Sequence, residues 1–281
     1  MRRTRSRPGL IPRITALTVP VCVALASCGA PQQAIEIPFS VQFGAEPISC
    51  SMAAADLRLS DMRLFVYDFH LTSASGEEVA LTLDDRPPWQ GGQVALLDFE
   101  DGTGTCRNGS AATNAGVQAR VAAGNYTGLR FRIGVPEVLN HADPLQALAP
   151  LNHTAMHWHW LTGYKFLRAG IARAGIDNES ATFWLHLGST RCSGSASDPG
   201  GCRHSNRPEI SLPEFVPEET VVVIDLAPLA AVTGLHDGIS ADCSSGPTEA
   251  SCERPFAIFG LDFASGDAIG TPDLIRVTKL E

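Results

Sequence analysis

Alternating apolar and polar residues dominate the chain after its first 34 residues. The clearest case lies within residues 126–135, where Leu129, Phe131 and Ile133 alternate with polar or small neighbours. A period of two is typical of a β-strand that buries one face. Similar alternation, or a run rich in β-forming residues, predicts further strands over 35–43, 57–71, 79–83, 94–99, 117–121, 155–161, 183–187 and 221–224, and residues 226–232 predict a short helix.

Turn signals between these strands indicate how the chain is folded. Residues 73–76 predict a hairpin between 57–71 and 79–83, and residues 123–125 predict a second hairpin between 117–121 and 126–135. Pro38 within the first strand favours an edge position. The sequence shows neither a repeat nor the regular strand–helix alternation of a parallel α/β fold. The predicted fold class is therefore all-β, an antiparallel β-sandwich with long disulfide-stapled loops, formed as one domain over residues 35–281.

The N-terminus is typical of a bacterial secretory signal. Five arginines and no acidic residue lie before an apolar run over residues 14–26, and this run is too short to span a bilayer. Small residues then lead into Cys28, as in the lipobox of lipoproteins. We expect residues 1–27 to be removed, Cys28 to carry acyl chains and residues 28–34 to form a tether, with Gly29 favouring the outer membrane. Plain signal cleavage nearby is the alternative.

The net charge of the mature domain indicates which classes of partner it can bind. The chain has a formal net charge of −9, and loss of residues 1–27 removes five of its 21 basic residues and none of its 30 acidic residues, which changes the net charge to −14. An acidic domain disfavours nucleic acid and anionic membrane surfaces and is compatible with cations. Membrane attachment is therefore expected through the lipid alone.

Six cysteines remain in the mature domain after the lipid site. Cys192 and Cys202 bracket one glycine-rich loop and Cys243 and Cys252 bracket another, so each pair predicts a local disulfide in an oxidising compartment. Cys50 and Cys106 would then form the third. Fifteen connectivities are possible, and a metal–thiolate site is the competing interpretation, although no CxxC is present.

An acidic, glycine-rich segment over residues 98–109 has two interpretations. Asp98, Glu100 and Asp101 could bind calcium, which prefers several oxygen ligands from a flexible loop. The alternative, which we favour, is a turn-rich loop held by Cys106.

Residues 140–166 concentrate side chains that bind transition metals. They contain four of the eight histidines and two of the four tryptophans. If 155–161 is a strand, one face holds Met156, Trp158 and Trp160, and the other holds His157, His159 and Leu161. Imidazole suits copper, zinc, iron and nickel, and a thioether adds a preference for reduced copper. Core packing of the tryptophans is the alternative.

Several catalytic classes lack their motifs. The sequence has no HExxH, GxSxG, P-loop or CxxCH. A zinc-dependent hydrolase that uses His157 and His159 is conceivable, but neither a third ligand nor a general base can be nominated. A non-catalytic surface β-sandwich that acts as a binding module is a further alternative.

A family resemblance decides between these hypotheses. The segments LLDFEDGTGTCRNG, AGNYTGLRFRIGVP, LNHADPL, LNHTAMHWHW, GYKFLR, HLGST and VVVIDLAPL, in this order, resemble the MbnP family over nearly all of the mature chain. The resemblance implies a β-rich, non-enzymatic protein of the periplasm or cell surface that binds copper, with Cu(I) favoured. It also implies a di-haem partner related to cytochrome c peroxidases, which oxidises a tryptophan to kynurenine so that it helps to bind the metal.

Residue by residue, the resemblance carries over to a small set of side chains. His141 of LNHAD, His186 of HLGS and the pair Trp158 and Trp160 lie in matching motifs, and Trp158 is favoured over Trp160 as the modified residue. His157 and His159 depart from the family pattern, so they are expected as auxiliary ligands at most.

Overall fold

β-Strands make up most of the regular structure in the computed structural model, which describes residues 31–173, 182–195, 198–235 and 241–280. The strands are β1 (Gln32–Phe43), β2 (Glu46–Pro47), β3 (Leu57–Ser73), β4 (Glu78–Ala80), β5 (Thr82–Leu83), β6 (Gln90–Gly91), β7 (Val94–Asp98), β8 (Gly116–Ala122), β9 (Tyr126–Ile133), β10 (His157–His159), β11 (Gly163–Arg173), β12 (Thr182–Gly188), β13 (Thr190–Ser195), β14 (Asp198–His204), β15 (Glu209–Leu212), β16 (Thr220–Asp225) and β17 (Ile275–Lys279). The helices are α1 (Glu137–Asn140), α2 (Ala227–Val232) and α3 (Glu253–Ile258), with 3-10 turns at Thr154–Met156 and Ala250–Cys252.

The first sheet has six strands in the order β17-β16-β1-β8-β5, with β2 beside β1. β1 pairs with β8 through residues 32–38 in antiparallel register and with β16 through residues 39–42 in parallel register. The expectation of an edge strand was therefore wrong. Pro38, which has no amide hydrogen to donate, lies where one set of pairings ends and the other begins. The β1–β16 pair also departs from a purely antiparallel arrangement.

The second sheet has nine strands and is built around β3. Its order is β10-β11-β3-β7-β6, with β12 beside β11, β4 and β9 beside β3, and β15 beside β9. Both sheets contribute to one core: Phe39 of β1 meets Phe131 of β9 edge to face at 5.7 Å, and Phe131 stacks on Phe69 of β3 at 5.3 Å. Burial of each such side chain contributes about 1.5–3 kcal/mol. The all-β sandwich prediction is confirmed.

The two predicted hairpins had different outcomes. β3 and β4 pair through Leu71 and Val79, as the turn signal at residues 73–76 indicated. The second prediction was wrong: β8 pairs with β1 and β5, whereas β9 pairs with β3 and β15. The turn at residues 123–125 therefore carries the chain from one sheet to the other. Alternation identified both strands because each buries one face, but it contains no information about which sheet receives them.

Three disulfides fix the long connections, with the predicted pairing. They join Cys50 to Cys106, Cys192 to Cys202 and Cys243 to Cys252. β1 begins at Gln32, so residues 32–34 of the predicted tether lie in the first strand. The predicted signal peptide and lipidated Cys28 lie outside the described residues. Within the described part of the chain, no helix is long and apolar enough to cross a membrane.

Candidate metal centre

The histidine- and tryptophan-rich segment folds back over the edge of the nine-stranded sheet. Asn140 fixes its return, because its Oδ1 accepts from the Tyr164 amide at 3.2 Å and its Nδ2 donates to the Thr162 carbonyl at 3.2 Å. The Tyr164 hydroxyl then donates to the Leu151 carbonyl at 2.7 Å. These bonds link the start and the middle of the segment to Thr162 and Tyr164, where β11 begins.

Only three residues of the predicted strand at 155–161 form one. A 3-10 turn covers Thr154–Met156, β10 covers His157–His159, and its pairing with β11 shifts register between His157 and His159. The expectation of two regular faces was therefore wrong. Met156 is fully buried, whereas Trp160 is 38% exposed although it was assigned to the same face.

A row of polar side chains crosses the sheet beneath this segment. Arg168 of β11 lies opposite Arg63 of β3 on one side and opposite His186 of β12 on the other. Arg63 in turn lies opposite Asp98 of β7. Since cross-strand partners share a face, these four residues form a continuous row, which we call the polar row.

Carboxylates neutralise the polar row. Asp61 accepts two hydrogen bonds from Arg63, at 2.9 and 2.6 Å, and forms an ion pair with Arg168 at 2.9 Å. Glu100 Oε2 lies 2.6 Å from Arg63 Nη2, as an ion pair rather than an aligned hydrogen bond. Burial, followed by the charge of Asp61, raises the pKa of Glu100 to about 7, although Arg63 acts in the opposite direction. Burial also raises the pKa of Asp98.

Sequence reasoning missed this network. The available signal was the spacing of Asp61 and Arg63, which are two residues apart within a strand rich in apolar residues and therefore share a face. Buried charges are uncommon unless they are paired, so the partners had to be nearby in the fold. Those partners are Glu100 and Arg168, and they come from distant segments that alternation could not connect to β3.

His186 lies at the end of the polar row, between two tryptophan rings. Its imidazole is 6.2 Å from Trp158, edge to face, and 6.4 Å from Trp184. Its Nε2 is buried and has no hydrogen-bond partner among the described residues. Burial, followed by the charges of Arg168 and Lys165, lowers the pKa of His186 to about 4. The imidazole is therefore neutral at physiological pH, which is the form that binds metals.

Two glycines leave the space that these rings occupy. A Cβ at Gly170, opposite Trp184 in the sheet, would lie 2.6 Å from Trp184 Cζ3. A Cβ at Gly188 would lie 3.2 Å from Trp158 Cζ3. Neither glycine has a positive φ, so close approach rather than backbone conformation requires glycine at both positions. At Gly170 the indole is the nearest group, whereas at Gly188 the Tyr164 carbonyl oxygen, at 2.9 Å, is nearer still.

His141, at the C-terminus of α1, has a defined tautomer. Its Nδ1 is 3.2 Å from the Trp160 carbonyl, and since a carbonyl only accepts, Nδ1 carries the hydrogen. Nε2 of the neutral ring is then the free donor atom toward a metal. It lies 3.7 Å from Glu137 Oε1 and 3.7 Å from Cys202 Sγ. The described residues place these three ligand atoms within 4.8 Å of one another.

The other predicted ligands lie apart. His157 packs edge to face on Tyr164 at 5.2 Å, whereas His159 lies against Trp160 at 5.2 Å on the exposed side. The two imidazoles therefore contact different rings, and in the described structure the HxH motif does not present them to a common point. Burial lowers the pKa of His157.

The histidine- and tryptophan-rich segment is hydrogen bonded to Arg168 of the polar row through the Ala155 carbonyl. The Ala155 oxygen accepts from Lys165 Nζ and from Arg168 Nη1, each at 3.3 Å. Burial lowers the pKa of Lys165 to about 8. His153 has a buried Nδ1 without a partner in the described chain, and burial lowers its pKa.

The predicted calcium ligands have separate partners. Glu100 faces Arg63, and Asp98 Oδ1 accepts from the Glu100 amide at 2.9 Å. Asp101 accepts from the Thr103 amide at 2.8 Å and from its hydroxyl at 2.7 Å. The calcium prediction therefore gains no support from this arrangement.

The chain is similar to one solved structure and to one protein family, whereas a search of curated proteins gives no match. A solved structure, MbnP from Methylosinus trichosporium, superposes with a TM-score of 0.74 at 25% sequence identity, covering 89% of this chain and 100% of that chain. The MbnP family model matches residues 32–245, which begin at the first residue of β1 and extend past β12 and its histidine. The chain belongs to the MbnP family.

Proposed function

We propose that this protein is a non-catalytic copper-binding lipoprotein of the bacterial cell envelope, with His186, His141 and Trp158 at its metal site. Family membership supports a role in copper handling. The observation that carries the proposal is the buried His186 Nε2, a ring nitrogen with no partner in the described chain, in a ring that lies 6.2 Å from the Trp158 ring. An unpaired buried polar atom costs about 1–3 kcal/mol, and coordination of a metal ion through its lone pair would remove this penalty.

The surrounding charges favour the reduced form of copper. His186 lies near Arg168 and Lys165, whose positive charges lower its proton affinity. The same charges oppose any bound cation, and they oppose a divalent ion about twice as strongly as a monovalent ion. Neutral imidazoles are suitable ligands for copper. Together these effects select Cu(I) over Cu(II) or Zn(II).

Trp158 is the tryptophan that we assign to conversion into kynurenine. Its ring lies against His186, whereas Trp160 is 38% exposed and lies against His159. An indole N–H is a donor only, but the aromatic amine of kynurenine has a lone pair for a metal ion. In this proposal, a di-haem partner related to cytochrome c peroxidases is the oxidant. His157 and His159 are auxiliary at most.

Competition between the mature protein and a weak Cu(I) chelator tests the site. His186→Ala and His141→Ala should each lower Cu(I) affinity by about 10-fold or more, since loss of a ligand exceeds the effect of an outer-shell group. His70→Ala is the matched control, because His70 Nδ1 already has a hydrogen-bond partner, either the Asp68 carbonyl or Arg130. Unchanged binding in His186→Ala, or no copper retained by the wild type, would overturn the proposal and favour a plain binding module.

Tandem mass spectrometry of the 140–170 peptide tests the modification. After reaction with the di-haem partner and peroxide, Trp158 should gain an oxygen and lose a carbon, and protein expressed alone should contain only tryptophan. Trp160→Phe should still be modified and Trp158→Phe should not. Oxidation confined to Trp89, Trp160 or Trp184 would contradict the assignment.

Fractionation of cells tests the envelope location. Cys28→Ser should lose the acyl mass and the membrane association of the wild type. Recovery of this variant with membranes at wild-type levels would contradict the lipoprotein part of the proposal and leave the copper site untouched.

A further inference from the structure

One of the three disulfides differs from the others in accessibility and in its neighbours. The four cysteines of the Cys50–Cys106 and Cys243–Cys252 bonds are completely buried. Cys192 and Cys202 are partly exposed, in the β13–β14 hairpin, where they lie directly opposite each other. A soluble reductant can therefore reach this bond more readily than the other two.

Two metal-binding side chains already face the sulfur of Cys202. His141 Nε2 lies 3.7 Å from Cys202 Sγ and 3.7 Å from Glu137 Oε1. An ion with tetrahedral ligands at about 2.0–2.3 Å places its donor atoms about 3.3–3.8 Å apart. The two distances from His141 Nε2 thus match the edges of such a site, and all three ligand atoms lie within 4.8 Å of one another.

The surrounding contacts hold the three groups in place. Glu137 Oε2 forms an ion pair with Arg207 at 2.7 Å, and Oε1 accepts from the Cys202 amide at 3.1 Å. His141 is held through Nδ1 by the Trp160 carbonyl, so that Nε2 of the neutral ring has a lone pair available. A disulfide sulfur is not a thiolate and completes no metal site. The arrangement lacks only the thiolate.

We propose that the Cys192–Cys202 disulfide gates a metal site made of Cys202, His141 and Glu137, which binds a borderline divalent ion such as Zn²⁺ when the disulfide is reduced. The reductant is a protein dithiol of the thioredoxin class. One thiolate of this dithiol attacks a sulfur of the Cys192–Cys202 bond, and its second thiol then closes the reductant's own disulfide. The reductant thereby supplies two electrons and two protons, and Cys192 and Cys202 become thiols. Cys202 releases its proton to solvent when the metal binds, and a fourth position remains open.

This site goes beyond the proposed function, with which it shares only His141. It requires neither copper, nor the haem partner, nor modification of Trp158. Cys192, on the opposite side of the hairpin, is the leaving thiol, and we assign no ligand role to it. The two cysteines therefore have unequal roles, and this inequality makes the proposal testable.

Two serine variants provide a matched pair. Cys192→Ser and Cys202→Ser abolish the same disulfide, so their effects on folding are comparable, but only Cys192→Ser retains the Cys202 thiolate. Under anaerobic conditions, Cys192→Ser should bind Co²⁺, as a probe for Zn²⁺, with near-ultraviolet absorption from the thiolate–metal bond and without added reductant. Its affinity should exceed that of Cys202→Ser by at least about 100-fold. Wild-type protein should show this absorption only after reduction with a phosphine.

Further variants identify the remaining ligands and the results that would overturn the site. His141→Ala or Glu137→Gln, each combined with Cys192→Ser, should weaken Co²⁺ binding by about 10-fold or more. Equal binding by the two serine variants, or no thiolate absorption in either Cys192→Ser or the reduced wild type, would overturn the inference. A Cu(I) titration of the oxidised wild type tests the copper site while the Cys192–Cys202 disulfide is intact. Failure of the copper site is therefore distinguished from failure of the disulfide-gated site.

Discussion

The two faces of strands β3, β11 and β12 have opposite chemistry in the same sheet. On the inner face, Met62, Ala169 and Leu185 lie side by side and are completely or almost completely buried. One residue further along, on the outer face, Arg63, Arg168 and His186 lie side by side. Both faces are covered, the first by the other sheet and the second by the histidine- and tryptophan-rich segment.

The difference shows how a β-sandwich can separate stability from function. The inner face is stabilised by burial of apolar area, which depends little on orientation. The outer face is stabilised only while every buried charge keeps its partner. Within that paired environment, the Nε2 of His186 and the Nδ1 of His153 are buried ring nitrogens without a partner in the described chain, and such atoms mark places where an external group can bind.

The largest expected effect comes from the outer face. Arg63→Met leaves Asp61 and Glu100 without their shared cation, and loss of one partner of a buried pair costs about 3–5 kcal/mol. Urea denaturation should show this loss in the free energy of unfolding. Arg107→Met, at an exposed position, is the control and should change stability by less than about 0.5 kcal/mol. Similar values for the two variants would show that the network contributes no stability.

A change at Leu167, on the inner face of β11 next to Arg168, should affect stability alone. Leu167 is 1% exposed and lies between Leu64 and Leu187, so Leu167→Ala should lower the free energy of unfolding by about 2–4 kcal/mol. Cu(I) affinity, measured per folded molecule, should equal that of the wild type. A lowered affinity would mean that the two faces are coupled through β11.

Overpacking between a glycine and an indole should have an intermediate effect. Gly170→Ala places a methyl group 2.6 Å from Trp184 Cζ3, and such strain costs about 1–3 kcal/mol. The near-ultraviolet circular dichroism should change as Trp184 moves relative to His186. Gly270→Ala is the control, since a Cβ there meets no atom within 4 Å. Indistinguishable spectra for wild type and Gly170→Ala would show that the methyl group is accommodated without displacing Trp184.

The last expected effect is a pH dependence from Glu100. Its pKa rises from 4.5 to about 7 on folding, so between these values the folded state binds more protons than the unfolded state. The free energy of unfolding should therefore fall as the pH rises from about 4.5 to about 7. Glu100→Gln, which cannot ionise, should show a shallower fall over this interval. Equal slopes would place the pKa of Glu100 near its ordinary value.

Local pattern and long-range pairing differed in how well the sequence predicted them. Leu129, Phe131 and Ile133 are buried as their alternation indicated, because the side-chain period of a strand is a local property. The pairing of β8 with β9 was wrong because a short turn between two amphipathic strands fits a hairpin and a crossing between sheets equally well. The strand at residues 155–161 was too long, since its first part is a 3-10 turn and the pairing of the rest is irregular.

The candidate site was predictable only in part. Family motifs indicated His186 and Trp158, and the fold brings their rings together. Lys165 and Arg168 looked like ordinary polar residues on one strand, and nothing local indicated that both donate to the Ala155 carbonyl. Contacts of this kind depend on how a long loop packs against a sheet. Sequence periodicity contains no information about that packing.

The double pairing of β1 has a mechanical consequence. The chain enters the domain at Gln32 and is hydrogen bonded at once to β8 through residue 38, after which residues 39–42 are bonded to β16. Tension applied at Gln32 along the strand therefore loads successive ladders in shear, so that many bonds must break together instead of one after another. A force applied at Gln32 therefore meets more resistance than a force that peels β1 away one bond at a time.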